Sequence, residues 1–151
     1  MNVPNLWHRY ENVLTTKDEL LSDIIQFDKV YIGCDSKYYK QYTIFAYAIC
    51  FKSESYGVNY YWCREKTKGS YKDLYTRIWG EVERSVMIGN WIRENNPNIS
   101  IEIHADINSN PIFASNVYNA AANGYITGCG YQYRCKPDAW AATSVADWYT
   151  R

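Results

Sequence analysis

The sequence lacks any apolar run close to the ~18 residues that a membrane-crossing helix needs, so it is read as a chain that does not span a bilayer. Its opening, MNVPNLWHRYEN, has no apolar core of the signal-peptide kind, which points to an intracellular, cytoplasmic protein. Net charge is also missing, because 16 Lys and Arg balance 16 Asp and Glu. Only two histidines are present. The five cysteines, Cys34, Cys50, Cys63, Cys129 and Cys135, are odd in number and contain no C-x-x-C pair. That argues against a zinc site or a disulfide framework. They read as mostly buried thiols of a reducing compartment. Cys50 and Cys63 are the exception, since a hairpin that set them opposite each other would let an oxidised sample cross-link there. No internal repeat, low-complexity tract or linker interrupts the chain.

What is present suits one folded domain. At 151 residues and 47% apolar content the chain can bury a core of its own. A 21% share of charged residues with 17% aromatics excludes a disordered chain. Residues 1–29 read as an N-terminal extension with a helix, within a single domain covering 1–151. The zero net charge hides an uneven distribution. Residues 30–77 carry eight cations (Lys37, Lys40, Lys52, Arg64, Lys66, Lys68, Lys72, Arg77) against the four acids Asp35, Glu54, Glu65 and Asp73. A basic, Tyr-rich segment suits phosphate contact and base stacking. A solvated hairpin face is the alternative.

Pattern places the elements in order. Thr16-x-x-Glu19 is a capping box that opens a helix over 15–28. VYIGCDS (30–36), YTIFAYAICF (42–51) and GVNYYWCRE (57–65) read as three antiparallel strands, with Ser55, Tyr56 and Gly57 turning between the last two. A long helix follows over 72–95, with Ile78, Val82, Ser85, Gly89 and Ile92 on one face and Pro97 beyond its end. ISIEIHAD (99–106) alternates as a strand. The pattern then predicts a helix over 110–124 stopped by Gly124, a glycine-broken strand region over 125–135, and a turn with a terminal helix over 136–150. A meander followed by βαβ crossovers implies an α/β fold, with a mixed five-stranded sheet flanked by helices. Behind the extra N-terminal helix, that is the element order of the ribonuclease H-like fold.

Such a fold gathers acids from separate elements at one end of its central strands. Asp35 lies within the first predicted strand, where an unpartnered carboxylate among apolar neighbours is costly. Glu81 flanks the apolar face of the long helix, whereas Glu83 points away. Asp106 ends the alternating strand, and Asp147 sits between apolar neighbours on the terminal helix. Carboxylates are hard oxygen donors that suit Mg²⁺ or Mn²⁺, here two ions. Each acid also has a plainer reading. Asp35 suits an Asx turn, Glu81 a pair with Arg77 or Arg84, Asp106 a strand-end turn, and Asp147 a solvated helix face.

The same segments resemble the YkuK-type family of ribonuclease H-like proteins. The matching stretches are VYIGCDSK (30–37), RIWGEVERS (77–85), IHADIN (103–108), ASNVYNAAANGYITGCGY (114–131) and KPDAWAATSVAD (136–147). The resemblance implies a ribonuclease H-like fold and nuclease activity, with Asp35, Glu81, Asp106 and Asp147 at the acidic positions as catalytic residues and metal ligands. One departure is visible. Well-studied ribonucleases H carry a histidine before the last helix, but residues 107–147 contain none. Lys136 or Asp138 are the substitutes on offer, and His104 is either a neighbour of the site or a satisfied strand histidine. Asn108, Ser115 and Asn116 read as phosphate or water contacts, or as ordinary polar surface with a cap near Asn110. Trp140 and Trp148 read as core.

The expected function is a divalent-metal-dependent nuclease acting on RNA or an RNA–DNA hybrid. The competing expectations are a catalytically inactive module that binds nucleic acid or protein, and a junction resolvase or 3′–5′ exonuclease.

Overall fold

A computed structural model describes residues 1–10, 13–53, 57–69 and 71–151. Its strands are β1 (Leu6–Arg9), β2 (Val13–Thr16), β3 (Lys29–Tyr39), β4 (Tyr42–Ser53), β5 (Gly57–Lys68), β6 (Ser100–Asn108) and β7 (Gln132–Lys136). The α-helices are α1 (Lys17–Ile24), α2 (Leu74–Asn95) and α3 (Asn119–Gly128), the last preceded by a 3₁₀ turn at Ala114–Tyr118. A terminal helix closes the chain and is π-helical over Ala141–Ala146.

The strands form one sheet in the order β2-β1-β5-β4-β3-β6-β7. β3, β4 and β5 are the antiparallel meander, and β6 and β7 add in parallel through helical crossovers. The mixed sheet with helices on both faces is the expected α/β architecture. Among the described residues the sheet has seven strands rather than five, because residues before α1 pair as a hairpin and β1 adds to β5. These two four-residue strands are too short to show an alternating pattern. The capping box is present, with Thr16 Oγ1 accepting from Glu19 N at 3.2 Å, but the helix is shorter than 15–28 because Thr16 closes β2.

Two cores sandwich the sheet. On one face Ile78, Val82 and Ile92 of α2 pack with Ile32, Cys34, Ile101, Ile103 and Ile107, and α1 and α3 add Leu20, Ile24, Ala122 and Ile126. On the other face Ala141, Ala146 and Tyr149 lie on Ala46, Ala48 and Cys50. β6 is thus covered on both sides, so Glu102 and His104 on its second face are buried as well.

Three further expectations change. Gly124 does not stop α3, which runs on to Gly128, so the strand expected over 125–135 shrinks to Gln132–Lys136. Cys50 opposes Tyr60 while Cys63 opposes Tyr47, and the two thiols lie in different cores, on opposite faces of the sheet. All five cysteines are free. Trp148 is exposed under the Arg151 guanidinium instead of joining the core, whereas Trp140 is half-buried against Tyr31. The turn residues Ser55 and Tyr56 lie outside the described residues.

Candidate active site

The central pair of strands brings the first two acids together. Ile32 pairs with Ile103 and Gly33 with His104 across the parallel ladder. Two residues further along each strand stand Asp35 and Asp106. Between the His104–Arg134 and Asn108–Lys136 pairs β6 has three residues against one on β7. Such an irregularity re-aims side chains, and this one surrounds Asp106. Lys136 Nζ lies 2.7 Å from Asp106 Oδ1.

Asp147 arrives from the opposite side of the sheet to α2. The terminal helix sits close on β3 because Gly33 has no side chain. A Cβ there would lie 2.3 Å from the Ala141 carbonyl carbon, and backbone cannot yield to it. The helix start is also pinned, since Ala141 N donates to His104 Nδ1 at 2.9 Å. The π-helical turn runs up to Ala146, so Asp147 follows it directly. Asp147 stands close enough to Asp35 to raise its pKa.

Glu81 comes from α2, across the sheet. It takes neither Arg77 nor Arg84. Ser36 Oγ donates to Glu81 Oε2 at 2.7 Å. Arg84 instead donates to Glu65 Oε1 at 2.7 Å, where Tyr47 also donates, and so ties β5 to α2. Asp35 and Asp106 both bear electrostatically on Glu81. The structure therefore brings all four sequence-predicted acids to one end of β3 and β6.

The electrostatics show the cost of this arrangement. Burial first, then the charges of Asp106 and Asp147, push the Asp35 carboxyl up to about 8. Burial and the Asp35 charge also hold Glu81 well above the usual carboxylate range. The crevice between Glu81 and Asp106 measures only about 10 Å³, at the lower limit for a single water. The chemistry this site can support is therefore on its open side, where Asp106 and Asp147 reach solvent. The donor set fits a divalent cation: the carboxyls are hard oxygen donors, the raised pKa values of Asp35 and Glu81 mark a shortage of positive charge, and one side is open. Among the described residues no three His, Cys, Asp or Glu side chains already stand in a metal-holding group.

The auxiliary candidates separate. Lys136 reaches the site. Asp138 is exposed and lines a different cleft, with Lys29 and Trp140. His104 has both ring nitrogens engaged: Nδ1 accepts from Ala141 N, and Nε2 lies 2.7 Å from Glu102 Oε2. Burial lowers its pKa, so the neutral Nε2–H tautomer donates to Glu102. This is the satisfied strand histidine. Asn108 N donates to Ser115 Oγ and Asn116 Nδ2 donates to Asn108 O, which ties the loop after β6 to the strand end, and within that loop Asn110 Oδ1 accepts from Ile112 N.

Beside Asp35 the sheet carries a surface that a plain charge count did not resolve. Asp35 pairs with Ala46 and Ala46 with Arg64; Lys37 pairs with Ile44 and Ile44 with Lys66; Tyr39 pairs with Tyr42 and Tyr42 with Lys68. Residues opposite each other share a face. Exposed Lys37, Arg64, Lys66 and Lys68, with exposed Tyr39 and Tyr42, therefore continue the face that Asp35 occupies. None of the four cations makes an ion pair among the described residues. The period-two basic residues of Arg64-Glu65-Lys66-Thr67-Lys68 were the available signal. Ser36, Gly33 and the Glu102–His104 clamp carried no motif of their own.

Neither a curated protein nor a solved structure matches the chain. A family model described as ribonuclease H-like matches residues 15–151. The match spans the whole meander, both crossovers and every one of the four acids, and the chain belongs to the ribonuclease H-like family.

Proposed function

We propose that this protein is a divalent-metal-dependent nuclease that hydrolyses phosphodiester bonds, with an RNA strand or RNA–DNA hybrid as its substrate. The observation that carries the reading is the convergence of Asp35, Glu81, Asp106 and Asp147 from four separate elements. Burial and mutual repulsion there leave a site short of positive charge. Asp35, Glu81, Asp106 and Asp147 would hold Mg²⁺ or Mn²⁺. When bound, such ions lower the pKa of an attacking water and stabilise charge on the leaving oxygen. Ser36 orients Glu81, the Gly33–Ala141 contact sets the height of Asp147, and Lys136 offers Asp106 a cation. The Lys37, Arg64, Lys66 and Lys68 face would track the phosphate backbone, with Tyr39 and Tyr42 available to stack on bases.

One observation favours a second reading, a binding module without catalysis. Lys136 already neutralises Asp106, and no group of three ligands is in place among the described residues. A labelled panel separates the two: RNA–DNA hybrid, double-stranded RNA, double-stranded DNA, single strands and a four-way junction, each with Mn²⁺ or Mg²⁺. Cutting of RNA-containing strands supports the proposal. Cutting only of the junction, or only from 3′ ends, replaces it with a resolvase or an exonuclease. Binding without cutting of any substrate leaves the inactive module.

A further inference from the structure

We propose that a second site, at the opposite end of β3 from the acids, binds a phosphate-bearing nucleotide. Lys29 and Tyr31 of β3, Lys52 of β4 and Arg134 of β7 surround a cleft of about 590 Å³, with Trp140 at its wall. That volume lies within the range of small-ligand sites. Tyr31 and Asp35 are four residues apart on one strand, about 13 Å, so the cleft is separate from the acidic cluster.

Charge and shape both argue for the ligand class. Three cations face this cleft. Glu102 stands behind them, almost fully buried, and its oxygens are already spoken for. Oε1 lies 3.3 Å from Lys29 Nζ and 3.5 Å from Arg134 Nε, and Oε2 takes His104. Glu102 thus positions two of the cations instead of facing a ligand. The remaining acid, Asp138, is an exposed rim residue. Lys52 has no carboxylate partner among the described residues. It lies over aromatic rings instead, 5.0 Å from the Tyr31 centroid and 5.8 Å from that of Trp140. Tyr31 and Trp140 pack against each other at 4.9 Å and form an aromatic wall. Cations beside an aromatic wall recognise a phosphate joined to a planar base. A free nucleotide and the 5′-phosphorylated end of a strand share that chemistry. The inference does not depend on the nuclease reading.

The test is calorimetric titration of the whole protein in metal-free buffer, where the acidic site cannot cut. The probes are ADP, pyrophosphate, a 5′-phosphorylated oligonucleotide and its unphosphorylated counterpart. Binding of ADP or of the phosphorylated end is expected, weakened about tenfold by Lys52→Ala and again by Arg134→Ala. Both side chains are exposed, so the variants fold, and their melting temperatures verify it. Lys68→Ala, on the other basic surface, leaves the ADP affinity unchanged. Tighter binding of the phosphorylated oligonucleotide than of its unphosphorylated counterpart, with the difference lost in Lys52→Ala, assigns the site to strand ends; ADP binding without such a difference assigns it to free nucleotides. Absence of ADP binding together with equal affinity for the phosphorylated and unphosphorylated oligonucleotides overturns the proposal. So does affinity indifferent to Lys52→Ala and Arg134→Ala, or pyrophosphate binding as tightly as ADP.

Discussion

Gly33 of β3 lies directly against Ala141 of the terminal helix, backbone to backbone, with no room for a methyl group between them. That contact sets how deeply the helix settles and therefore where Asp147 stands relative to Asp35. Gly33→Ala must push the helix outward. Overpacking of this kind costs about 1–3 kcal/mol, and each kcal/mol lowers the melting temperature of a domain this size by roughly 2–4 °C. Calorimetry should show that loss, and cleavage should fall with it. An unchanged melting temperature would show that the helix is not held by this contact.

The acids repel one another, and that has a pH signature. The Asp35 carboxyl is raised from 3.8 to about 8 in the fold, so its protonated form is favoured there. Its contribution to stability is full below about 4 and is lost as pH rises through 8. Asp35→Asn removes the titration. In metal-free buffer the variant should gain on the wild type progressively from pH 4 to pH 9, by several degrees at the upper end. Adding millimolar Mg²⁺ or Mn²⁺ should raise the wild-type melting temperature by linkage and move the variant less. Identical melting curves for the two proteins across this range would break the electrostatic account.

His104 holds the start of the terminal helix, and both of its ring nitrogens are engaged, by Ala141 N and Glu102. Its pKa and that of Glu102 are both lowered in the fold. Each therefore contributes stability that is present above its ordinary pKa and lost as pH falls below it. His104→Ala leaves Glu102 short of a buried partner and should cost about 3 kcal/mol or more. Melting should fall, while the pH dependence of residual cleavage keeps its wild-type shape. A changed profile with unchanged melting would instead make His104 a catalytic group.

The basic face should be read out in salt. Lys66→Ala and Lys68→Ala are surface changes and should leave melting within about 0.5 kcal/mol of wild type. Each should weaken nucleic-acid binding and reduce the slope of log affinity against log salt by roughly 0.7–0.9. Filter binding or fluorescence anisotropy at several ionic strengths measures this. A slope insensitive to both changes would move the nucleic acid to another surface.

Much of this architecture was legible in the sequence because its elements are long and periodic. The meander, α2 and β6 each show a clear period, and the family motifs fall on them. The four acids were legible as a set for the same reason: each sits at a defined point on a readable element. The hairpin β1–β2 was not, since four-residue strands carry no pattern. Gly124 misled because a glycine inside a helix costs only about 1 kcal/mol, and Ala122 and Ile126 pack the helix onto the core on either side of it. The role of Gly33 was hidden because nothing local to VYIGCDS shows that a helix from the far end of the chain lies on it. The separation of Cys50 and Cys63 follows from register alone, and a one-residue slip would have reversed their faces.

The most direct test of the central claim is cleavage of a labelled RNA–DNA hybrid with Mn²⁺ by wild type and Asp35→Asn in parallel, both verified as folded. The account predicts metal-dependent cutting by the wild type and its loss, by a factor of at least about 10³, in the variant. Cutting that survives Asp35→Asn would contradict it, because the reaction would then be occurring away from the four acids.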